Sequence, residues 1–125
     1  MDRIQIKTIA DVTIVELDSV LATISEAKPL LDELNNRAKL NSNKLIIDVS
    51  CCKYFDSTFI GSLKQTYKKV IENNGQMKLV YPKVVTLKSS RTESITKIIE
   101  CYNTLTEALN SYISEQKYNF NEVIN

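Results

Sequence analysis

The sequence predicts an α/β fold in which a mixed β-sheet, with an N-terminal antiparallel hairpin at its edge and parallel strands at its centre, packs against about four helices. Three observations predict it. Residues 4–17 alternate apolar with polar side chains in two short runs, the period of paired strands. Residues 44–49, KLIIDV, are nearly continuous in apolar side chains, as in a central strand covered on both faces. A helical pattern and a further short strand then come at the spacing of a parallel crossover unit.

Taken in order, Ile4, Ile6 and Ile9 form a first strand and Val12, Ile14, Val15 and Leu17 a second, with Ala10 and Asp11 as the tight turn between them. Thr23 with Glu26 has capping-box spacing, and Ala27, Leu30, Leu31, Leu34 and Ala38 recur at helical intervals, so a first helix is expected over about 24–40. Pro29 falls inside that span, where it removes a hydrogen bond unless the helix starts a turn later. After the buried strand, Phe59, Ile60, Leu63, Tyr67, Val70 and Ile71 make one face of a second helix, closed by Asn73, Asn74 and Gly75. Met77, Leu79 and Val80 form a short strand stopped by Pro82. Over 83–97, Val84, Val85 and Leu87 fit a short helix and a loop equally well. Ile98, Ile99 and Cys101 suggest a last strand. Thr104 and Glu107 then open a closing amphipathic helix carrying Leu105, Ala108, Leu109, Tyr112 and Ile113 to about Gln116. A single domain over 1–116 with a polar C-terminal tail over 117–125 is expected.

Composition narrows the function classes. Apolar residues make up 43% and charged residues 25%, an ordinary globular balance. Sixteen basic and 15 acidic residues are interspersed for a net charge of +1, so the chain lacks the footprint for gripping nucleic acid. No apolar run reaches the roughly 18 residues that span a bilayer, and the alternating N-terminus is no signal-peptide core, so a cytoplasmic protein without membrane insertion is expected. Histidine is absent, which removes the commonest general base and metal ligand and argues against an enzyme, a metal or another cofactor. Cys51 and Cys52 are adjacent, lack Cys-x-x-Cys spacing and, with Cys101, fit no disulfide framework; buried strand-end positions are expected for the pair.

The stretch Leu45–Leu63, LIIDVSCCKYFDSTFIGSL, resembles the signature of stand-alone STAS domains of the anti-sigma factor antagonist type: a buried strand ending Asp-x-Ser, a connector with an aromatic, then Asp-Ser-Ser/Thr-x-Ile/Leu-Gly. The matching positions are Asp48, Ser50, Phe55, Asp56, Ser57, Thr58, Ile60 and Gly61, and the likeness extends more loosely over residues 4–113. Phe59 stands where many members carry glycine, and Ser19 and Ala22 replace residues that are often Gly and Asp. The resemblance implies a STAS-like fold and a phosphorylation site at Ser57. It implies a protein that, when unphosphorylated, binds a serine-kinase anti-sigma factor and frees a sigma factor. A phosphatase acting on phosphoserine would reverse the modification. Asp56, Ser57, Thr58, Phe59 and Tyr54 are the residues expected at the partner. The alternative is a STAS subunit of a lipid-transport ATPase or a stress-signalling complex, docking without phosphorylation.

Physical chemistry supplies a bland reading beside each of these. Asp56 and Ser57 precede a strong helical pattern, where short oxygen-bearing side chains cap free N–H groups, so capping alone accounts for them locally. Thr58 fits capping or packing, and Tyr54 fits either an exposed anchor or an aromatic packed under the connector. Lys53, Lys64, Lys68 and Lys69 read as a solvated helix face or as a basic patch near the serine. Gly61, a lone glycine in a helical pattern, is expected to let that helix pack closely on the sheet.

Overall fold

The first two strands, β1 (Ile4–Ile9) and β2 (Val12–Leu17), pair antiparallel with Ile9 opposite Val12, leaving Ala10 and Asp11 as a two-residue turn. The structure, a computed structural model, describes residues 4–23, 25, 28–30, 32–34, 44–81 and 95–124, with side chains of the last stretch described through 114. Ala10 and Asp11 have φ of 48° and 64°. Positive φ at both central residues is what the I′-type hairpin turn needs to match strand twist, and the turn is made here without glycine. Lys44 Nζ lies 3.4 Å from Asp11 Oδ2, pinning the turn beside the next strand of the sheet.

That next strand, β4 (Lys44–Asp48), runs parallel to β2, and β6 (Gln76–Val80) and β7 (Glu100–Tyr102) extend the sheet in parallel, giving the order β1-β2-β4-β6-β7. Among the described residues only the hairpin edge is antiparallel. The apolar run of β4 is central as expected: Leu45, Ile46 and Ile47 are all buried. Two further strands, β3 (Leu21–Ala22) and β5 (Tyr54–Phe55), make a separate two-stranded parallel pair. Their two-residue length carries no periodicity, which is why they are illegible in the sequence.

Helix α1 (Ser57–Glu72) buries Phe59, Ile60, Leu63 and Thr66 against one face of the sheet, where Val15, Leu17, Leu45, Ile47, Met77 and Leu79 meet them. Its end is a Schellman turn: Gly75 N donates to Val70 O at 2.8 Å and Asn74 N to Ile71 O at 3.0 Å. The left-handed residue is Asn74, at φ 62°, and not Gly75. The other face of the sheet is covered by α2 (Leu105–Ile124), which packs Ala108 and Tyr112 onto Val12, Ile14, Ile46 and Val80. The expected box opens it: Glu107 N donates to Thr104 Oγ1, which donates to Glu107 Oε1, both at 3.2 Å. The helix runs eight residues past Gln116, through most of the stretch expected as tail.

Helical residues also occur at 25, 28–30 and 32–34, with Pro29 among them, and at 95–98. Ile98 therefore closes a helical turn instead of opening the last strand, and β7 starts at Glu100. The far end of the first helix, its Glu26 cap partner, Pro82 and the ambiguous Val84, Val85 and Leu87 lie outside the described residues.

Candidate functional site: a serine at the exposed start of α1

The chain leaves β4 at Asp48, whose buried Oδ1 accepts from Ser50 N at 2.9 Å and from Ser50 Oγ at 2.6 Å, folding the connector back at once. Cys52, fully buried, donates its N–H to Val49 O at 3.0 Å. The β3–β5 pair then fixes the path of residues 53–56. Val20 O accepts from Lys53 N at 2.7 Å and from Tyr54 N at 3.2 Å, and Ala22 O accepts from Asp56 N at 3.0 Å. Ser19 Oγ donates to Leu21 O at 2.9 Å and braces β3 from the other side. The residue that starts α1 is thus held by backbone bonds to a segment more than thirty positions earlier.

Asp56 is the N-cap. Its backbone is extended, at φ −92° and ψ 168°, and Oδ1 accepts from Phe59 N at 2.8 Å. The carboxylate satisfies one of the N–H groups that a helix start leaves without an intrahelical partner and places negative charge at the positive end of the helix dipole. The capping reading of Asp56 is therefore correct for the bond it makes to Phe59. Ser57 follows as the first helical residue, and its side chain is exposed, as is that of Thr58. Neither hydroxyl is packed away, so the packing reading of Thr58 does not hold.

Underneath, Phe55 is 7% exposed and stacks on Tyr81, with ring centroids 5.1 Å apart, and it meets Phe59 in a tilted arrangement at 6.1 Å. Phe59, expected among partner-facing residues, has a wholly buried side chain: three positions after the cap, it points into the sheet with the core stripe of α1. It supports Ser57 from below and has no surface to offer a partner. Tyr54 is the opposite case. It is 50% exposed and sits opposite Leu21 in the β3–β5 pair, so the aromatic under the connector is Phe55 and Tyr54 faces outward.

Two residues that sequence reasoning missed join it. Val20 and Leu21, 58% and 50% exposed, form with Tyr54 an apolar surface beside the start of α1. Single exposed apolar residues are ordinary, whereas three on and just before one small pair of strands make a candidate contact surface. The available signal was two large apolar residues placed just after β2 in a stretch with no period of its own.

Two further expectations need correction. Gly61 does not permit close packing: a Cβ built there meets nothing within 4 Å, so one turn beyond Ser57 the helix carries an open notch. Cys51 is exposed, although Cys52 is buried as expected. Its thiol is raised above its ordinary range, first by desolvation and then by the carboxylates of Asp18, Asp48 and Glu16, which keeps it protonated and a weak nucleophile at neutral pH. Lys53, Lys68 and Lys69 are exposed and Lys64 is half-buried. At seven and eleven residues from Ser57, Lys64 and Lys68 share its side of α1.

Among the described residues no group of three or more Cys, Asp or Glu side chains is placed to hold a metal ion, and no helix is long and apolar enough to cross a membrane. The site offers a capped, rigidly seated helix start with a free-standing hydroxyl and an apolar margin.

Comparison with solved structures finds the same fold in other proteins. A putative anti-sigma factor antagonist from Thermotoga maritima superposes with a TM-score of 0.73 at 20% identity, covering 88% of this chain and 94% of that one. An anti-sigma factor antagonist from Mycobacterium paratuberculosis gives 0.74 at 21% identity, covering 86% and 91%. The Bacillus cell fate determinant SpoIIAA in its phosphorylated form gives 0.66 at 12% identity, covering 87% and 98%. At these identities the likeness is one of fold. A search of curated proteins returns no significant match. The family model for the STAS domain matches residues 3–108, from β1 into the first turns of α2, and on that match the chain belongs to the STAS domain family.

Proposed function

We propose that this protein is an anti-sigma factor antagonist working as a phosphorylation-controlled binding switch. Its unphosphorylated form binds a serine-kinase anti-sigma factor and frees a sigma factor, and phosphorylation of Ser57 ends that binding until a phosphatase restores the hydroxyl. The observation that carries the reading is the exposed Ser57 side chain at the first position of α1, behind an aspartate whose carboxylate is engaged with Phe59 N. The structural neighbours described as anti-sigma factor antagonists, and one solved in a phosphorylated form, support it.

The charge physics fits a switch that spares the fold. A phosphate adds about 1.5 to 2 negative charges at a helix N-terminus, where the dipole and the free N–H groups tolerate an anion. A partner that had met a neutral hydroxyl between Tyr54 and the α1 surface then faces a dianion beside the Asp56 carboxylate. A loss of about 2.7 kcal/mol suffices to weaken binding about 100-fold.

The test is binding of Ser57→Ala and Ser57→Asp to the cognate kinase, together with phosphopeptide mapping of protein from its native cells. The reading expects Ala to bind and Asp to bind far more weakly, with phosphate on Ser57. Equal affinity of the two variants, or a modified residue elsewhere, would overturn it.

A further inference from the structure

We infer that the Ser57 side of α1 continues into a docking groove for an acidic amphipathic helix of the partner; this deepens the switch reading above and rests on it. Between the second half of α1 and the helical turn at 95–98 lies a groove of about 390 Å³ lined by Lys64, Tyr67, Lys68, Ile71, Glu72 and Ile98. Ile71 and Ile98 are 46% and 49% exposed, large apolar side chains on neighbouring elements with their outer halves open to water.

Three features along one side of α1 select the occupant. Gly61 comes first, an open notch one turn past Ser57. Glycine inside a helix costs about 1 kcal/mol against alanine, and nothing among the described residues requires it there. What the missing Cβ provides is close approach for a backbone from outside. Lys64 and Lys68 come next, two cations against the single carboxylate of Glu72, so an approaching segment gains by carrying negative charge. The apolar floor at Tyr67, Ile71 and Ile98 completes the groove. From Gly61 to Ile71 the rise is about 15 Å, or nearly three turns, which matches an apolar stripe at positions i, i+4, i+7 and i+11 of a partner helix with acidic flanks.

The same geometry explains how the modification bears on the near end of the groove. Lys64 lies about 10 Å along the axis from Ser57, about one Debye length at roughly 0.1 M salt. A phosphate there carries more negative charge than the stripe's net positive charge, and the acidic partner segment is repelled at its Ser57 end.

The test uses the full 125-residue chain, isotope-labelled and titrated with a synthetic helical peptide of about 18 residues carrying leucines at helical spacing and glutamate flanks, and with a counterpart carrying lysine flanks. Only the acidic peptide is expected to bind, shifting amide signals at Gly61–Glu72 and around Ile98. Lys64→Glu with Lys68→Glu, and separately Ile71→Ser, are expected to weaken it at least about tenfold, with thermal melts confirming that each variant is folded. No binding, equal binding of both peptides, shifts elsewhere, or indifference to the lysine reversal overturns the inference. So does concentration-dependent self-association abolished by Ile71→Ser, which seats a second copy in the groove. Ser57→Asp separates the two levels. If the lysine-dependent peptide affinity holds while Ser57→Asp leaves binding of the cognate kinase unchanged, the groove stands and the switch falls; if it abolishes binding of the cognate kinase while the lysine reversal does not, the switch stands and the groove falls.

Discussion

The two faces of the sheet are built differently. Under α1 the buried side chains are almost all apolar, with Phe59, Ile60 and Leu63 set on Val15, Leu17, Leu45, Ile47 and Leu79. Under α2 the apolar patch of Val12, Ile14, Ile46, Val80, Ala108 and Tyr112 adjoins a buried cation. Lys78, with 5% of its side chain exposed, sits 3.0 Å from Glu100 Oε2, donates to Ser111 Oγ at 2.7 Å and lies 4.2 Å from the Tyr112 ring centroid. Tyr112 in turn donates its hydroxyl to Leu45 O at 2.9 Å. Strand β7 shows the division within three residues: Glu100 and Tyr102 belong to the polar side, while Cys101 packs on the apolar one. The lesson is that the face carrying Ser57 is anchored by apolar packing, with the Cys101 thiol at its margin, whereas the ion pair of Lys78 and Glu100 lies across the sheet.

The largest way to break that contrast is Phe59→Ala. Removing a fully buried phenyl ring from under the site is expected to cost about 3 to 5 kcal/mol, read as a shift of the urea midpoint, with Ser57 losing its fixed seat. On the other face, Lys78→Ala is expected to cost about 2 to 3 kcal/mol by emptying volume and removing the charge-assisted hydrogen bond to Ser111. Lys78→Met, which keeps the volume, should cost less than about 1 kcal/mol in the same measurement. If both cost the same, the charge and not the packing is what that face needs.

Alkaline pH separates the faces next. Burial, helped by the Glu100 charge, pushes the Cys101 thiol from 9.0 up to about 11. A raised thiol value favours folding while the group is protonated in both states, and the benefit is lost as pH climbs from the unfolded value towards the folded one. Stability should therefore fall by about 1 to 2 kcal/mol between roughly pH 9 and 11, after allowing for partial exposure. In Cys101→Ala that portion of the fall should vanish. A smaller effect belongs to the cap: Asp56→Ala is expected to lower stability by about 1 kcal/mol through loss of the bond from Phe59 N, with helix content otherwise kept.

The smallest effect is at acid pH. Hydrogen bonds from Tyr102 and Lys78, and the charge of Lys78, hold the Glu100 carboxyl below 4.5 against a desolvation that acts the other way. A lowered carboxyl contributes stability above its unfolded value and loses it as pH drops through the folded one. Because Glu100 is 53% exposed, the loss below about pH 4.5 should amount to a few tenths of a kcal/mol. Comparing the acid limb of Glu100→Gln with the parent chain reads it.

Much of this molecule is legible residue by residue. The hairpin, the doubly covered strand at 44–48, the α1 stripe and the Thr104–Glu107 box each declare themselves through local period or cap chemistry, and the Asp56–Ser57 pair is visible as a helix start. The features that escape depend on partners far along the chain. The β3–β5 pair is held by bonds from Val20 and Ala22 to residues 53–56, so neither its existence nor the exposed surface of Val20, Leu21 and Tyr54 has a local signal. Phe59 is expected at the partner because it follows Ser57 and Thr58, although its place in the apolar stripe with Ile60 and Leu63 points to the core, which is where the fold puts it.

Periodicity and capping act within a few residues, so the sequence by itself determined the α/β class, the central strand and the place where α1 begins. Which hydroxyl stands in solvent, which phenyl ring lies beneath it, that Gly61 faces open space and that Ile71 and Ile98 line one groove were decided by tertiary structure alone. Exposure is a property of what packs against a residue, and for the start of α1 that packing comes from β3, β5 and the sheet, segments the chain brings together only when it folds.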